Sequence, residues 1–402
     1  MVIVDQEKIN EVLTRSVDKI YPGREQFEEI LKSGRQLRIY MGIDPTATYV
    51  HLGHVTNYMV LKRFHDLGHK IIVLIGDFTA MIGDPSDKKA ARQRLSKGEI
   101  LSNLKTFQTQ IGKVLPFNHK NNLIEIRFNS EWLSKLTLED SVELASYFTV
   151  QQMIERDTFQ KRLKENKPLY VHEFFYPLMQ GYDSVALSAD VEVGGTDQTF
   201  NMLAGRTLVK TYQNREKMII TTTLLENPAT GEKLMSKSLG TGIGLDESSQ
   251  NMYGKTMALP DEAIIQCFTD CTYLPIVKIN ELKNQLRSGI NPRDIKMMLA
   301  KEIVKIYHGE KAAGQAEEYF VSAFQKKEAP DNLEEVTVKR GELLVDILLK
   351  QNVVKSKSEL RRLVEEGAVT IWPEQKVTDL NFPITAEVTL KVGKKKFLKL
   401  KI

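Results

Sequence analysis

The sequence predicts an α/β protein in three parts: a doubly wound parallel sheet, an α-helical domain and a small α+β domain. Three observations carry this reading. The apolar periodicity changes between positions 34 and 75 so as to outline a βαβ unit, residues 246–327 turn almost wholly helical, and beyond a polar linker the chain becomes basic. With 402 residues, the chain can bury two or three cores without disulfide or metal staples. Its 42% hydrophobic and 27% charged content argues against a disordered or fibrous polypeptide, and no apolar run approaches the roughly 20 residues of a membrane span.

The elements follow in order. Ile9, Val12, Leu13, Val17 and Ile20 give helical spacing within residues 5–32, broken at Pro22-Gly23 and resumed through Phe27, Ile30 and Leu31. Residues 35–44 read as a strand, 52–67 as an amphipathic helix stopped by Gly68, and 70–75 (KIIVLI) as a buried strand. Strands are also expected at 121–128 and 190–195 and a helix at 138–156, with 158–182 as an insertion or connective crossing. The helical domain offers 261–268, 276–286 and 292–307, each preceded by Asn or Pro where a helix start is due. Residues 328–331 form the linker, followed by short helices at 341–350 and 356–366 and strands at 368–372 and 387–401. Cys267 and Cys271, four apart, suit neighbouring core positions of a helix better than a bridge or a zinc site.

The net charge of +4 is uneven. Residues 338–402 hold 14 Lys+Arg against 8 Asp+Glu, or +6, leaving 42 against 44, or −2, for the rest. A neutral body with a basic appendage suits a large polyanion. The opening residues, MVIVDQEK, have neither a secretory nor a transit pattern, so a cytoplasmic location is expected.

Two motifs carry chemistry. Residues 45–54, PTATYVHLGH, lie where the first strand turns into its helix. A helix start presents unpaired N–H groups and partial positive charge, Gly53 admits a ligand close to the backbone, and His51 and His54 share one face from which both can donate to phosphate oxygens. Taken alone, the two histidines are equally a surface pair or a partial metal site; position after a buried strand, with no third ligand in view, favours a nucleotide. The second motif is Leu234-Met235-Ser236-Lys237-Ser238, flanked by Gly231, Gly240, Gly242 and Gly244. A lysine and two hydroxyls on a glycine-flanked loop can close on a triphosphate, although Ser-Lys-Ser alone also reads as a solvated loop.

His51-Leu52-Gly53-His54 and Met235-Ser236-Lys237-Ser238, about 180 residues apart, together resemble the two signatures of class I aminoacyl-tRNA synthetases, and the residues between resemble bacterial-type tyrosyl-tRNA synthetases. The resemblance spans nearly the whole chain. It departs at Leu234, where the family's usual first lysine stands one place earlier as Lys233.

The resemblance implies a Rossmann-like catalytic domain at 1–225, with an N-terminal helical extension and the connective insertion. It further implies a second-motif loop and tRNA anticodon-binding helical domain at 226–330, and at 338–402 a small RNA-binding domain of the type first seen in a ribosomal protein. Catalysis would fall to His51, His54 and Lys237. ATP would meet Asp44, Thr46, Gly53, Asn57, Gly195, Asp197, Gln198, Leu234, Met235, Ser236 and Ser238, with Lys88 and Arg92 on pyrophosphate. Gly195 and Asp197 would hold the ribose, though a turn with an Asx cap is the plain alternative. A solvated basic face competes for Lys88 and Arg92.

A bound tyrosine must find partners for its ammonium, carboxylate and phenol. Tyr176, Gln180 and Asp183 share one helix face at offsets of four and three. In the family's pattern Tyr176, Gln180 and Asp84 take the ammonium, while Asp183 and Tyr40 take the phenol; a structural Asp183 capping a neighbour is the alternative. In the tail, Lys355, Lys357, Arg361 and Arg362 form a basic surface suited to structured RNA, with residues 394–396 adding a basic turn that alone reads as solvated.

The implied partners are tRNA(Tyr), L-tyrosine, ATP with magnesium as its counter-ion, and a second copy of the chain; no prosthetic group, no membrane and no protein metal site are expected. Two alternatives stand. A tryptophan-specific relative shares both signatures but not Tyr40 with Asp183 and the basic tail. An RNA-binding protein with an inactive synthetase body has no need of His51, His54, Lys237 and Asp84 together.

Overall fold

Six strands form the sheet that positions the site: β1 (Val17–Tyr21), β2 (Arg38–Ile43), β3 (Lys70–Ile75), β4 (Ile124–Phe128), β5 (Val191–Gly195) and β6 (Met218–Thr222). The computed structural model describes residues 1–45, 50–84, 96–117, 123–235, 242–325, 333–351, 353–354, 356–372, 375–393 and 396–402. These divide into two compact units, Met1–Ala313 and Gly314–Ile402.

In the first unit the strand order is β1-β6-β5-β2-β3-β4, parallel throughout except for the β1–β6 pair. β3 and β6 are buried almost end to end, as the interior of a parallel sheet requires. The chain runs outward from β2 through β3 to β4, then returns to β5 on the other side of β2. That reversal makes the β2/β5 boundary a switch point, where ligands bind at the carboxyl ends of strands. β2 pairs with β3 from Arg38 to Ile43 but with β5 only at Ile39↔Val191 and Tyr40↔Glu192. The carboxyl halves of β2 and β5 therefore diverge and leave a crevice.

The Leu52–Asp66 helix joins β2 to β3, closing the expected βαβ unit, and buries Val55, Met59 and Phe64. The N-terminal region differs from expectation. A helix at Gln6–Thr14 gives way at Ser16, which has a left-handed φ of 63°, to β1, and a second helix follows at Arg24–Lys32. Val17 and Ile20, three apart, fit a helix as well as a strand, and β1 is a strand through its pairing with β6, far along the sequence. The segment expected as a connective crossing ends in a long helix, Val171–Ala186, which packs against another at Thr199–Gln213. Helices continue at Ser249–Met257, Ile264–Cys271, Ile276–Arg287 and Pro292–His308. Cys267 and Cys271 are both fully buried and unbridged.

In the second unit β7 (Glu334–Thr337), β9 (Val369–Ile371), β10 (Gln375–Lys376), β12 (Val388–Val392) and β13 (Lys396–Lys401) form one sheet in the order β10-β9-β12-β13-β7. β8 (Glu342–Leu343) and β11 (Pro383–Ile384) pair separately. Helices at Leu344–Lys350 and Lys357–Glu365 complete the unit, whose own core includes Leu344, Leu348, Leu360, Leu390, Leu398 and Leu400. The single strand expected at 387–401 is instead the β12/β13 hairpin, with Gly393 at φ 67° after β12. The expected linker at 328–331 lies outside the described residues. Among the described residues no helix is long and apolar enough to cross a membrane.

Candidate active site

A cavity of about 780 Å³ occupies the crevice, in the size range of small-molecule sites. His51, Gly53, His54 and Asn57 line it from the helix after β2, Gly194 and Gly195 from the end of β5, Asp197 and Gln198 just beyond, and Tyr176, Gln180 and Asp183 from the Val171–Ala186 helix. Asp44, Asp84 and Met235, also expected, lie on its walls.

The histidines form the helix start. His51 Nδ1 accepts the Gly53 amide at 3.2 Å, and His54 Nδ1 accepts the His51 amide at 3.2 Å. Their rings stack with centroids 3.8 Å apart, and burial pushes the imidazoles down to about 4 for His51 and about 3 for His54. Both rings are therefore neutral near pH 7, and with Nδ1 accepting, each carries its proton on Nε2 as a donor. Gly53 is tightly enclosed: a Cβ would lie 3.0 Å from the His51 ring and 3.2 Å from Met235 Cβ, so both would have to give by a few tenths of an ångström. Beyond the second motif, Leu52 N–H donates to Ile243 and Leu245 N–H to Val50, so the segment that follows that motif is tied to this helix start.

Carboxylates also line the cavity. Asp44 accepts from Thr79 Oγ1 at 2.7 Å and Tyr176 Oη at 2.9 Å, while burial pushes its carboxyl up to about 7. Asp84 accepts from Arg156 Nη2 at 2.9 Å and Gln198 Nε2 at 2.7 Å. Asp183 accepts from Trp132 Nε1 at 2.7 Å and Asn129 Nδ2 at 3.3 Å, and burial pushes its carboxyl well above the usual carboxylate range. Asn57 accepts from Thr222 Oγ1. A Cβ on Gly195 would come 2.5 Å from Asp197 Oδ1, so a side chain there would displace the exposed Asp197 carboxylate from its present position.

The structure differs from expectation at two residues. Tyr40 does not line the cavity: two residues before Gly42 on the same strand face, it lies one step deeper, fully buried, with its hydroxyl 2.7 Å from Ser184 Oγ. Leu234 is also turned away: Lys233 and Met235 line the cavity, whereas Leu234 is buried and does not. Thr46, Lys88, Arg92, Ser236, Lys237 and Ser238 lie outside the described residues. Sequence reasoning missed Thr79, Asn129, Trp132, Arg156 and Glu192. Asn129 and Trp132 follow β4 directly, and the carboxyl end of a parallel strand was the available signal. In the second unit Lys357, Arg361 and Arg362 are exposed on one helix, and Lys355 is outside the described residues.

Donors at a helix start suit phosphate, and a buried carboxylate flanked by amide and phenol groups suits an amino acid; both open on one strand edge, the arrangement of an enzyme that activates an amino acid with a nucleotide. The model of tRNA synthetases class I (W and Y) matches residues 32–325, and the chain belongs to this family. It is similar to the tyrosine-tRNA ligase of Carboxydothermus hydrogenoformans, 48% identical over 404 residues and 97% of each chain. It is also similar to the tyrosine-tRNA ligase of Thermotoga maritima, 42% identical over 392 residues, 97% of this chain and 96% of that one. In fold it is similar to a C-terminally truncated mitochondrial tyrosyl-tRNA synthetase of Aspergillus nidulans, with TM-score 0.66 and 23% identity over 79% of this chain and 94% of that chain.

Proposed function

We infer that the chain is a tyrosine-tRNA ligase, which activates L-tyrosine with ATP to tyrosyl-adenylate and pyrophosphate and then transfers tyrosine to the 3′ end of tRNA(Tyr), releasing AMP. The observation that carries the reading is one cavity with neutral Nε2–H histidines at the helix start and Asp183 set by Trp132 and Asn129 on its wall.

The tyrosine carboxylate attacks the α-phosphate, so no enzyme nucleophile is required, and catalysis is positioning plus charge stabilisation. His51, His54 and Lys237 stabilise the transition-state charge. Tyr176, Gln180 and Asp84 take the ammonium, and Asp183 meets the phenol hydroxyl. Asp44, Thr46, Gly53, Asn57, Gly195, Asp197, Gln198, Met235, Ser236 and Ser238 hold the nucleotide, Lys88 and Arg92 the pyrophosphate, and magnesium travels with ATP as its counter-ion. Lys233 on the cavity wall supports a second phosphate-facing lysine beside Lys237.

Residues 1–225 act as the catalytic domain, 226–330 as second-motif loop and anticodon-binding domain, and 338–402 as an RNA-binding domain using Lys355, Lys357, Arg361 and Arg362. The protein works as a cytoplasmic homodimer. Exposed Leu138, Val142, Val150 and Val171, all in the stretch between β4 and β5, support a self-association face.

Pyrophosphate exchange with tyrosine, tryptophan, phenylalanine or no amino acid tests the reading, and tyrosine should support exchange far better than the other two, with none in the absence of an amino acid. His51→Asn and Lys237→Ala should slow exchange by about 10²- to 10³-fold. Tyrosine affinity should stay nearly intact; an unchanged exchange rate refutes these assignments.

A further inference from the structure

Lys217, immediately before β6, and Glu192, second in β5, are 0% and 2% exposed. Lys217 Nζ donates to Glu192 Oε2 and, at 2.8 Å, to Ser184 Oγ, which also lies against the Tyr40 hydroxyl. Space for the ammonium depends on Gly205, where a Cβ would come 2.5 Å from Lys217 Nζ and 2.7 Å from Ser184 Oγ. Removing two charges from water is costly, and a hydrophobic pair often serves stability as well. The pair's reach toward the cavity supplies another reason for it.

Glu192 lines the cavity, and its second oxygen, Oε1, accepts from Gln180 Nε2 at 3.0 Å. The other end of that amide, Gln180 Oε1, accepts from Asn201 Nδ2 at 2.9 Å. A flipped amide would set its oxygen against the Glu192 carboxylate and its NH₂ against the Asn201 NH₂, so the partners dictate one orientation. Only that orientation offers an acceptor to a ligand ammonium, because Gln180 NH₂ is engaged on Glu192 and Oε1 retains a second lone pair.

We propose that the Lys217–Glu192 ion pair is a positioning unit for amino-acid recognition: it fixes the Gln180 amide so that its carbonyl oxygen, not its NH₂, meets the substrate ammonium. Neither residue is a catalytic residue. The proposal rests on reading Tyr176, Gln180 and Asp84 as the ammonium site.

The test is Glu192→Gln, which keeps the shape but no longer dictates the amide's direction. Tyrosine should bind about ten- to hundredfold more weakly, the worth of a hydrogen bond to a charged group. Binding of ATP and of 3-(4-hydroxyphenyl)propionate, which has the phenol and carboxylate but no ammonium, should stay within about threefold, as should kcat at saturating tyrosine. Equal loss for both aromatic ligands, or loss for neither, overturns the proposal. Should Glu192→Gln lower the melting temperature sharply, the double variant Glu192→Gln/Lys217→Met, which strands no charge, must show the same selectivity or the proposal falls. Gln180→Ala separates the two levels: if it leaves tyrosine affinity unchanged, the ammonium-site reading itself fails, whereas selective loss with Gln180→Ala beside a silent Glu192→Gln removes the ion-pair proposal alone.

Discussion

Trp132 donates its indole N–H to Asp183 Oδ1 at 2.7 Å, the shorter of the two bonds that orient this carboxyl. A buried polar group left unpaired is costly, so a site built around Asp183 favours a ligand with a phenol hydroxyl over phenylalanine, which leaves the carboxyl without its ligand partner. Trp132→Phe keeps an aromatic ring under the Arg127 guanidinium, 5.5 Å from the ring centroid, but removes the N–H. The expected result is a roughly tenfold fall in kcat/KM for tyrosine in pyrophosphate exchange with little change for phenylalanine. Steady-state kinetics with both amino acids checks it, and an equal fall for both would argue that Trp132 acts only in packing.

Gly76 follows β3 and sits directly against Asp44, which follows the neighbouring strand β2. A Cβ there would lie 1.9 Å from Asp44 Oδ1 and 2.4 Å from Thr79 Oγ1, so any side chain must break the Asp44–Thr79 bond or push β2 and β3 apart. Overpacking of this kind costs about 1–3 kcal/mol. Gly76→Ala should therefore lower both the melting temperature and the exchange rate. Thr79→Val, which breaks the bond without the clash, should lower exchange with a smaller loss of stability. Calorimetry alongside exchange assays separates the two.

His54 and Asp44 give opposite pH dependences. Burial depresses His54 from the ordinary 6.5 to about 3, so the unfolded chain takes up that proton first. Its contribution is fully present above pH 6.5 and is lost as pH falls toward 3. Asp44 is raised from 3.8 to about 7, so the folded chain protonates first, and its contribution is present below 3.8 and lost as pH rises through 7. Replacing His54 by Gln should shrink the stability that wild type loses between pH 7 and pH 5 by on the order of 1–2 kcal/mol. Asp44→Asn should gain on wild type as pH rises from 4 to 7. Urea unfolding across that range reads both, and parallel curves for the three proteins would contradict the assigned burial effects.

What the sequence disclosed, and what it withheld, follows the range of the interactions. KIIVLI and the His51 to His54 turn announce a buried strand and a phosphate-facing helix start because their causes are local: side-chain period, a helix start and a permissive glycine. Tyr176, Gln180 and Asp183 were legible as one face for the same reason. β1 was not, since its helical spacing is overruled by pairing with β6. Nor was the Lys217–Glu192 pair, which exists only because β5 and β6 are neighbours. Tyr40 shows a subtler limit: the face was predictable from alternation, but its depth below the crevice depends on where β2 and β5 separate.

The basic tail makes the remaining prediction. Lys357 and Arg361 are four apart on the Lys357–Glu365 helix, Arg362 is adjacent, and all three are exposed. Arg362 has Glu366 at 3.8 Å, a loose surface pair that RNA phosphate can displace at small cost. Each phosphate neutralised releases condensed counter-ions and adds roughly 0.7 to 0.9 to the magnitude of the slope of log affinity against log salt. Replacing Lys357, Arg361 and Arg362 together by Ala should weaken tRNA(Tyr) binding and flatten that slope by about 2. Tyrosine-dependent pyrophosphate exchange should not change, because Leu360, between these residues, keeps the helix anchored in its own core and none of the three lines the cavity. Filter binding from low to high salt, with exchange as the control, decides it: an unchanged salt slope would mean that this helix does not touch the RNA backbone.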